Sequence, residues 1–209
     1  MIQFLIERFV PNWQNTQNST VRERYGILAA SVGILSNIFL FIIKILTGLI
    51  FNSIAITADA VNNLSDAGSS VITLLAFKIA GKPADPEHPY GHARMEYISG
   101  MAGFFFIFLL GLQLIGSSFE KILYPETVTV SYLTYAVLII SILTKLWQGI
   151  FNRTVGKRID SDALQATAAD SLNDVFATSA VLISAIVYHF TSIPIDGWMG
   201  MAGGFFLPI

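Results

Sequence analysis

The sequence predicts an all-α membrane protein, a six-helix transmembrane bundle whose sixth helix is incomplete. Two observations support this fold class. Of the 209 residues, 54% are hydrophobic and only 12% are charged, a balance that soluble domains rarely have. The hydrophobic residues also gather into runs of roughly 20 residues, the length that a helix needs to cross the hydrocarbon core.

Five apolar stretches are long enough to span a bilayer, and a sixth is shorter. They cover residues 27–51, 53–80, 95–118, 131–152 and 163–189, followed by a partial span at 193–209. Residues 1–24 are predicted to form a cytoplasmic, amphipathic N-terminal segment at the membrane surface. Residues 25–209 are predicted to form the transmembrane domain.

Basic residues fix the predicted orientation, because they concentrate on one side of the spans. That side carries Arg8, Arg22, Arg24, Lys82, Arg94, Arg153, Lys157 and Arg158. The opposite side carries Lys121. The positive-inside rule then predicts a cytoplasmic N-terminus in a bacterial-type inner or plasma membrane.

Charge and cysteine content exclude two classes of function. The net charge of −2 argues against a general nucleic-acid binder. The sequence has no cysteine, so it can form neither a disulfide nor a thiolate metal site. Any metal ion must therefore be held by oxygen atoms and imidazole.

Two acidic motifs lie inside the second and fifth spans. Asn62 and Asp66 are one helical turn apart, and so are Asp170 and Asp174. The two spans run in opposite directions, which puts Asp66 about 21 Å and Asp174 about 18 Å from the cytoplasmic side. The sequence therefore predicts a four-residue oxygen cage near the midplane of the membrane.

Three carboxylates around one dication favour competition between metal and protons, because crowding and low dielectric raise a carboxylate pKa. An all-oxygen ligand set favours manganese or ferrous iron over zinc. Asp59, Asn63 and Asn173 lie beside the motifs, where they either orient the ligands or support packing. The alternative for the whole set is that these side chains only hydrogen-bond helix to helix.

Three lysines lie inside predicted spans: Lys44 in the first, Lys145 in the fourth, and Lys78 near the cytoplasmic end of the second. Pairing with a buried carboxylate, or snorkelling, is the first interpretation. A role in proton coupling is the alternative.

A loop after the second span carries Asp85, His88 and His92. The two prolines among them favour a loop up to about Gly91. One carboxylate and two imidazoles could hold a second metal ion. The alternative is a rigid turn that leads into the third span.

These motifs resemble the cation diffusion facilitator family of divalent-metal exporters. The matching segments are Thr57–Asp66, Pro83–His92 and Asp170–Val175. Zinc members carry His or Asp at the positions of Asn62 and Asp170, so the pattern here is similar to the manganese-type branch. The resemblance implies a six-helix transporter that exchanges cytosolic metal for outside protons, usually as a homodimer, and a metal role for the loop residues in zinc members.

Family members normally complete the sixth helix and add a cytoplasmic domain, so we expect this chain to be truncated before that domain. The predicted function is divalent cation:proton antiport, exporting manganese first, then iron, zinc or cobalt. The alternative is a non-transporting metal-binding membrane subunit or an inactive fragment. An intramembrane metalloenzyme is disfavoured because the sequence has no His-Glu-x-x-His motif.

Overall fold

The computed structural model describes residues 1–50, 54–123 and 132–191, and within these ranges the regular structure is all helical. The helices are α1 (Ile2–Phe9), α2 (Ser19–Ile50), α3 (Ile54–Ala80), α4 (Arg94–Leu123), α5 (Tyr132–Ile159) and α6 (Asp162–Thr191). The all-α prediction is confirmed, and α2 to α6 correspond to the five predicted full spans. The predicted partial span, 193–209, lies outside the described residues.

The helices are longer than the apolar runs because polar turns extend them. α2 begins at Ser19, eight residues before the predicted start of the first span at residue 27. Asn18 caps this end, since its Oδ1 accepts a hydrogen bond from the Thr20 backbone N–H at 2.9 Å. α5 likewise continues to Ile159, seven residues past the end of its predicted span.

Three of the described helices are long and apolar enough to cross a membrane, judged by length and composition. They are Ser19–Ile50, Tyr132–Ile159 and the Asp162–Val187 part of α6. Large apolar side chains such as Leu35, Leu49 and Leu143 point outward and are exposed. Such outward apolar faces are expected where the surrounding solvent is lipid.

The chain divides into two compact units. The first comprises Met1–Gly103 and Trp147–Ala169, and the second the described residues of Phe104–Leu146 and Asp170–Ile209. α4, α5 and α6 therefore have residues in both units.

The core of the first unit includes the N-terminal helix. Ile6 and Val10 are fully buried. They pack with Val21, Tyr25, Ala29, Phe77, Phe151, Val155, Ile159, Ala163 and Leu164. The Tyr25 hydroxyl donates a hydrogen bond to the Trp13 carbonyl at 2.9 Å, and the Arg158 guanidinium lies 5.3 Å from the Trp13 ring centroid. The predicted segment 1–24 is thus divided between α1, a turn and the start of α2.

A tight turn connects α5 to α6. Asp160 adopts a left-handed backbone conformation with φ of 50°, which Asp tolerates better than most residues. The Ser161 N–H then donates to the Gly156 carbonyl at 2.9 Å, which closes a Schellman-type helix end. The Ser161 hydroxyl accepts a hydrogen bond from the Leu164 N–H at 3.4 Å, so one residue ends α5 and begins α6.

The second unit also joins α5 to α6. The Tyr135 hydroxyl on α5 donates to the Ala185 carbonyl on α6 at 3.3 Å. Val137 and Leu138 supply buried apolar side chains, and Ser141 is buried beside them. α5 therefore carries both apolar and polar residues on its buried side.

Close packing between α2 and α3 generates a stability prediction. A methyl group on Gly26 of α2 would overlap the ring of Phe77, a buried side chain of α3. We expect Gly26→Ala to lower the free energy of unfolding by about 1–3 kcal/mol. Gly68→Ala is the matched control, because its Cβ meets nothing within 4 Å and should stabilise α3 by up to about 1 kcal/mol. Thermal unfolding in detergent measures both, and equal midpoints would contradict the packing.

Candidate metal-binding sites

The acidic motif of α3 lies in the first unit. Asp66 is buried at 8% exposure and Asn62 is half-buried, one turn earlier on the helix. The Ser70 hydroxyl donates to the Asp66 backbone carbonyl at 2.9 Å. The Asn63 side-chain amide donates to the Asp59 backbone carbonyl at 2.9 Å, so this group serves its own helix.

The acidic motif of α6 lies in the second unit. Asp170, Asn173 and Asp174 are half-buried. Asp170 and Asp174 each offer a carboxylate oxygen, and these two oxygens lie within 4.8 Å of one another. Two carboxylates this close repel each other unless a cation or a proton lies between them.

The structure brings together the two carboxylates of α6. Asn62 and Asp66 belong to the first unit, whereas Asp170 and Asp174 belong to the second. The four-residue set therefore stays a prediction made from the sequence.

Both buried lysines pair with carboxylates, as the first interpretation of them predicted. Lys44 Nζ lies 2.8 Å from Asp59 Oδ2 in the first unit. Lys145 Nζ lies 2.5 Å from Asp174 Oδ2 in the second unit. The ammonium groups are almost inaccessible, whereas the carboxylates stay partly exposed, so in each pair the buried charge is that of the lysine.

The loop between α3 and α4 gathers three predicted metal ligands. Ligand atoms of Asp85, His88 and His92 lie within 4.8 Å of one another, all in the first unit. Asp85 Oδ1 lies 3.2 Å from His88 Nδ1, and its Oδ2 lies 3.6 Å from His92 Nε2. The two imidazole ring centroids are 4.5 Å apart.

Backbone hydrogen bonds fix this loop as a turn, which confirms the prediction of a loop up to Gly91. The His88 N–H donates to the Asp85 side chain at 2.6 Å and lies 3.1 Å from its carbonyl oxygen. Gly91, with φ of 75°, then donates its N–H to the His88 carbonyl at 2.9 Å. The hydrogen bond from the His88 backbone lowers the pKa of Asp85 below its ordinary 3.8, so the carboxylate stays ionised in more acidic solution than an ordinary Asp does.

Sequence reasoning missed one ion pair in the first unit. Arg22 NH2 of α2 lies 3.1 Å from both carboxylate oxygens of Glu96 on α4. Arg22 also donates to the Ile159 carbonyl at the end of α5. The sequence identified Arg22 as one of the basic residues that predict the orientation. No pattern in the sequence indicated Glu96 as its partner.

Comparison with known proteins gives a family match over most of the chain. Residues 30–209 match the family described as the cation efflux transmembrane domain.

Individual relatives are similar over the same region. The chain is 34% identical over 163 residues to an uncharacterised transporter of Methanocaldococcus jannaschii, covering 76% of this chain and 56% of that protein. It is 33% identical over 179 residues to the manganese efflux system protein MneS of Bacillus subtilis, covering 83% and 62%. It is 30% identical over 166 residues to the magnetosome protein MamM of Magnetospirillum gryphiswaldense, covering 78% and 52%. The chain spans between about half and three-fifths of the length of these relatives.

The pair in the first unit generates an asymmetric prediction. Lys44 is 2% exposed, whereas Asp59 is 37% exposed. Asp59→Asn takes the carboxylate from a buried ammonium, and we expect a loss of about 2–4 kcal/mol of unfolding free energy. Lys44→Met leaves a carboxylate that solvent reaches, and we expect a loss of about 1 kcal/mol.

A double-mutant cycle measures this pair by chemical unfolding in detergent. The variant with both changes should resemble Lys44→Met, because no charge is then left buried. Losses that simply add would show that the two groups do not interact.

Proposed function

The chain belongs to the cation efflux family, and from that premise we propose that it exports a divalent metal ion from the cytoplasm in exchange for protons. Members of this family are transporters rather than enzymes. Manganese is the favoured ion, followed by iron, zinc or cobalt. The ion is cargo, so it binds and leaves in every cycle.

One observation carries the proposal more than any other. The carboxylates of Asp170 and Asp174 lie close together 8 and 12 residues after the start of α6, inside a helix apolar enough to cross a membrane. Acidic groups at that depth are costly and usually mark an ion pathway. We propose that Asn62 and Asp66 of α3 complete the ligand set, because sequence register puts both motifs at similar depths.

The same set supports exchange with protons. When the metal ion leaves, carboxylates that repel one another in a low dielectric take up protons in its place. A gradient of protons directed inward then drives metal outward, if the site opens first to the cytoplasm and then to the opposite side. Asp59, Asn63 and Asn173 support the helices that hold the ligands.

The choice of manganese rests on ligand chemistry and on one relative. Carboxylate and carboxamide oxygens suit manganese, whereas zinc favours imidazole and thiolate. The similar protein of Bacillus subtilis is a manganese efflux protein. Both arguments point to the same metal independently.

The basic residues support a cytoplasmic N-terminus. The cation diffusion facilitator resemblance supports a homodimer. The cytoplasmic N-terminus and the homodimer are both part of the proposed function. On this orientation the loop between α3 and α4 faces the cytoplasm.

We propose that this loop holds a second metal ion at Asp85, His88 and His92. The convergence of their ligand atoms supports this assignment. The hydrogen bonds that form this turn use backbone groups and the Asp85 side chain. A turn that only led into α4 would therefore not need two imidazoles beside one carboxylate.

Transport should depend on the carboxylates of α3 and α6. In proteoliposomes with an acidic lumen and Mn²⁺ outside, we expect the wild-type chain to accumulate manganese. Asp66→Asn and Asp174→Asn should each lower the rate at least about tenfold, because a neutral amide replaces a charged ligand of a hard cation. Asp162→Asn is the matched control, since Asp162 is an exposed acid in the first turn of α6.

Two results would contradict different parts of this proposal. Wild-type rates in both variants would remove the assigned ligands. Manganese binding without flux in the wild type would favour the alternative, a non-transporting metal-binding subunit.

The loop site generates a separate binding prediction. Asp85→Asn should weaken Co²⁺ binding at this site at least about tenfold, because it replaces a charged ligand by a neutral amide. Loss of a residue that only hydrogen-bonds to a metal ligand already lowers metal affinity by about 10- to 100-fold. Glu87→Gln, an exposed acid of the same loop, should leave the affinity unchanged. The visible absorption of bound Co²⁺ reports the result, and equal spectra for Asp85→Asn and wild type would leave the loop a structural turn.

A further inference from the structure

Lys145 lies in the middle of a helix that crosses the membrane. It follows Tyr132 by 13 residues and precedes Ile159 by 14, so it lies about 20 Å from either end of α5. Its side chain is 3% exposed. A lysine at this depth cannot reach the interface with its ammonium group.

The ammonium group contacts a proposed ligand of the transported ion. Lys145 Nζ lies 2.5 Å from Asp174 Oδ2, and the carboxylate of Asp170 lies within 4.8 Å of that of Asp174. All three residues belong to the second unit. The positive charge is therefore placed on the same carboxylate that would bind the cargo.

An ammonium group and a dication compete for such an oxygen atom. A small hard dication binds a carboxylate oxygen at about 2.0–2.1 Å. An ammonium group that stayed at its present distance would lie within a few ångströms of the dication, where two positive charges repel strongly. A metal ion that binds Asp174 Oδ2 therefore displaces the lysine from that oxygen.

We propose that Lys145 is a positioning residue, a tethered cation that holds Asp174 between transport cycles and is displaced by the arriving metal ion. This inference rests on the proposed function. The effect of the lysine is to weaken metal binding, which matters because a transport site must also release its ion.

Lys44 provides an internal comparison. It has the same burial and also pairs with a carboxylate, but its partner is Asp59, outside the four proposed ligands. It lies six residues from the end of α2, about 9 Å along the helix axis. Removing this charge tests the loss of a buried lysine without freeing Asp174.

The test is Mn²⁺ binding to the purified chain in detergent, with free ion counted by electron paramagnetic resonance. Lys145→Gln keeps a hydrogen-bond donor and removes the charge, so we expect Kd to fall at least about tenfold, with slower turnover in proteoliposomes. Lys145→Arg keeps the charge, and its planar guanidinium can bind a carboxylate through two parallel hydrogen bonds. The Kd for Mn²⁺ should therefore rise about three- to tenfold. Lys44→Gln should stay within about twofold of wild type.

The direction in which the Kd for Mn²⁺ changes distinguishes this role of Lys145 from a purely structural one. A lysine that only supports packing would give weaker binding when it is replaced by Gln, so an unchanged or raised Kd overturns the inference. If Lys145→Gln does not fold, an unchanged Kd for Lys145→Arg overturns it instead. A wild-type chain that binds Mn²⁺ without transporting it would sink the proposed function, whereas the two lysine variants judge the inference alone.

Discussion

The cost of holding charged groups inside membrane-crossing helices determines which side chains of this chain lie together. An ionised group near the bilayer centre costs at least a few kcal/mol, so it must face a partner. Both buried lysines meet this demand, Lys44 with Asp59 and Lys145 with Asp174. In each pair the lysine is sealed off while the carboxylate stays partly accessible, at 37% and 21%. The carboxylate of each pair can therefore still be reached by a third group.

Much of the fold was predictable from the sequence because a helix that crosses a membrane must have about 20 mainly apolar residues in a row. Helices α2 to α6 lie over the five predicted stretches, three of the described helices are long and apolar enough to cross a membrane, and the two prolines correctly predicted the loop before α4. Helix ends were less predictable. α2 starts early because Asn18 caps a polar turn, a local hydrogen bond that hydropathy does not see. The burial of Ile6 and Val10 was also missed, since an amphipathic helix can face either lipid or protein.

The candidate sites were predictable where one short segment supplies all the chemistry. Asp85, His88 and His92 are at most seven residues apart, and a turn brings them together. Ion pairs between different helices were harder to predict. The sequence indicated that Lys44 and Lys145 need carboxylates but not which ones, because that choice depends on which helices are neighbours. Arg22 and Glu96, 74 residues apart, show the same limit.

The short turn at Asp160 bears on how the chain enters the bilayer during synthesis. α5 ends at Ile159 and α6 begins at Asp162, so a two-residue turn joins the two helices into a hairpin. Lys145 stands 14 residues before that turn and Asp174 stands 12 after it, at matching heights on the two arms. A hairpin that entered the bilayer as one unit would carry the Lys145–Asp174 pair with it, so neither of these two charges would cross the lipid without its partner.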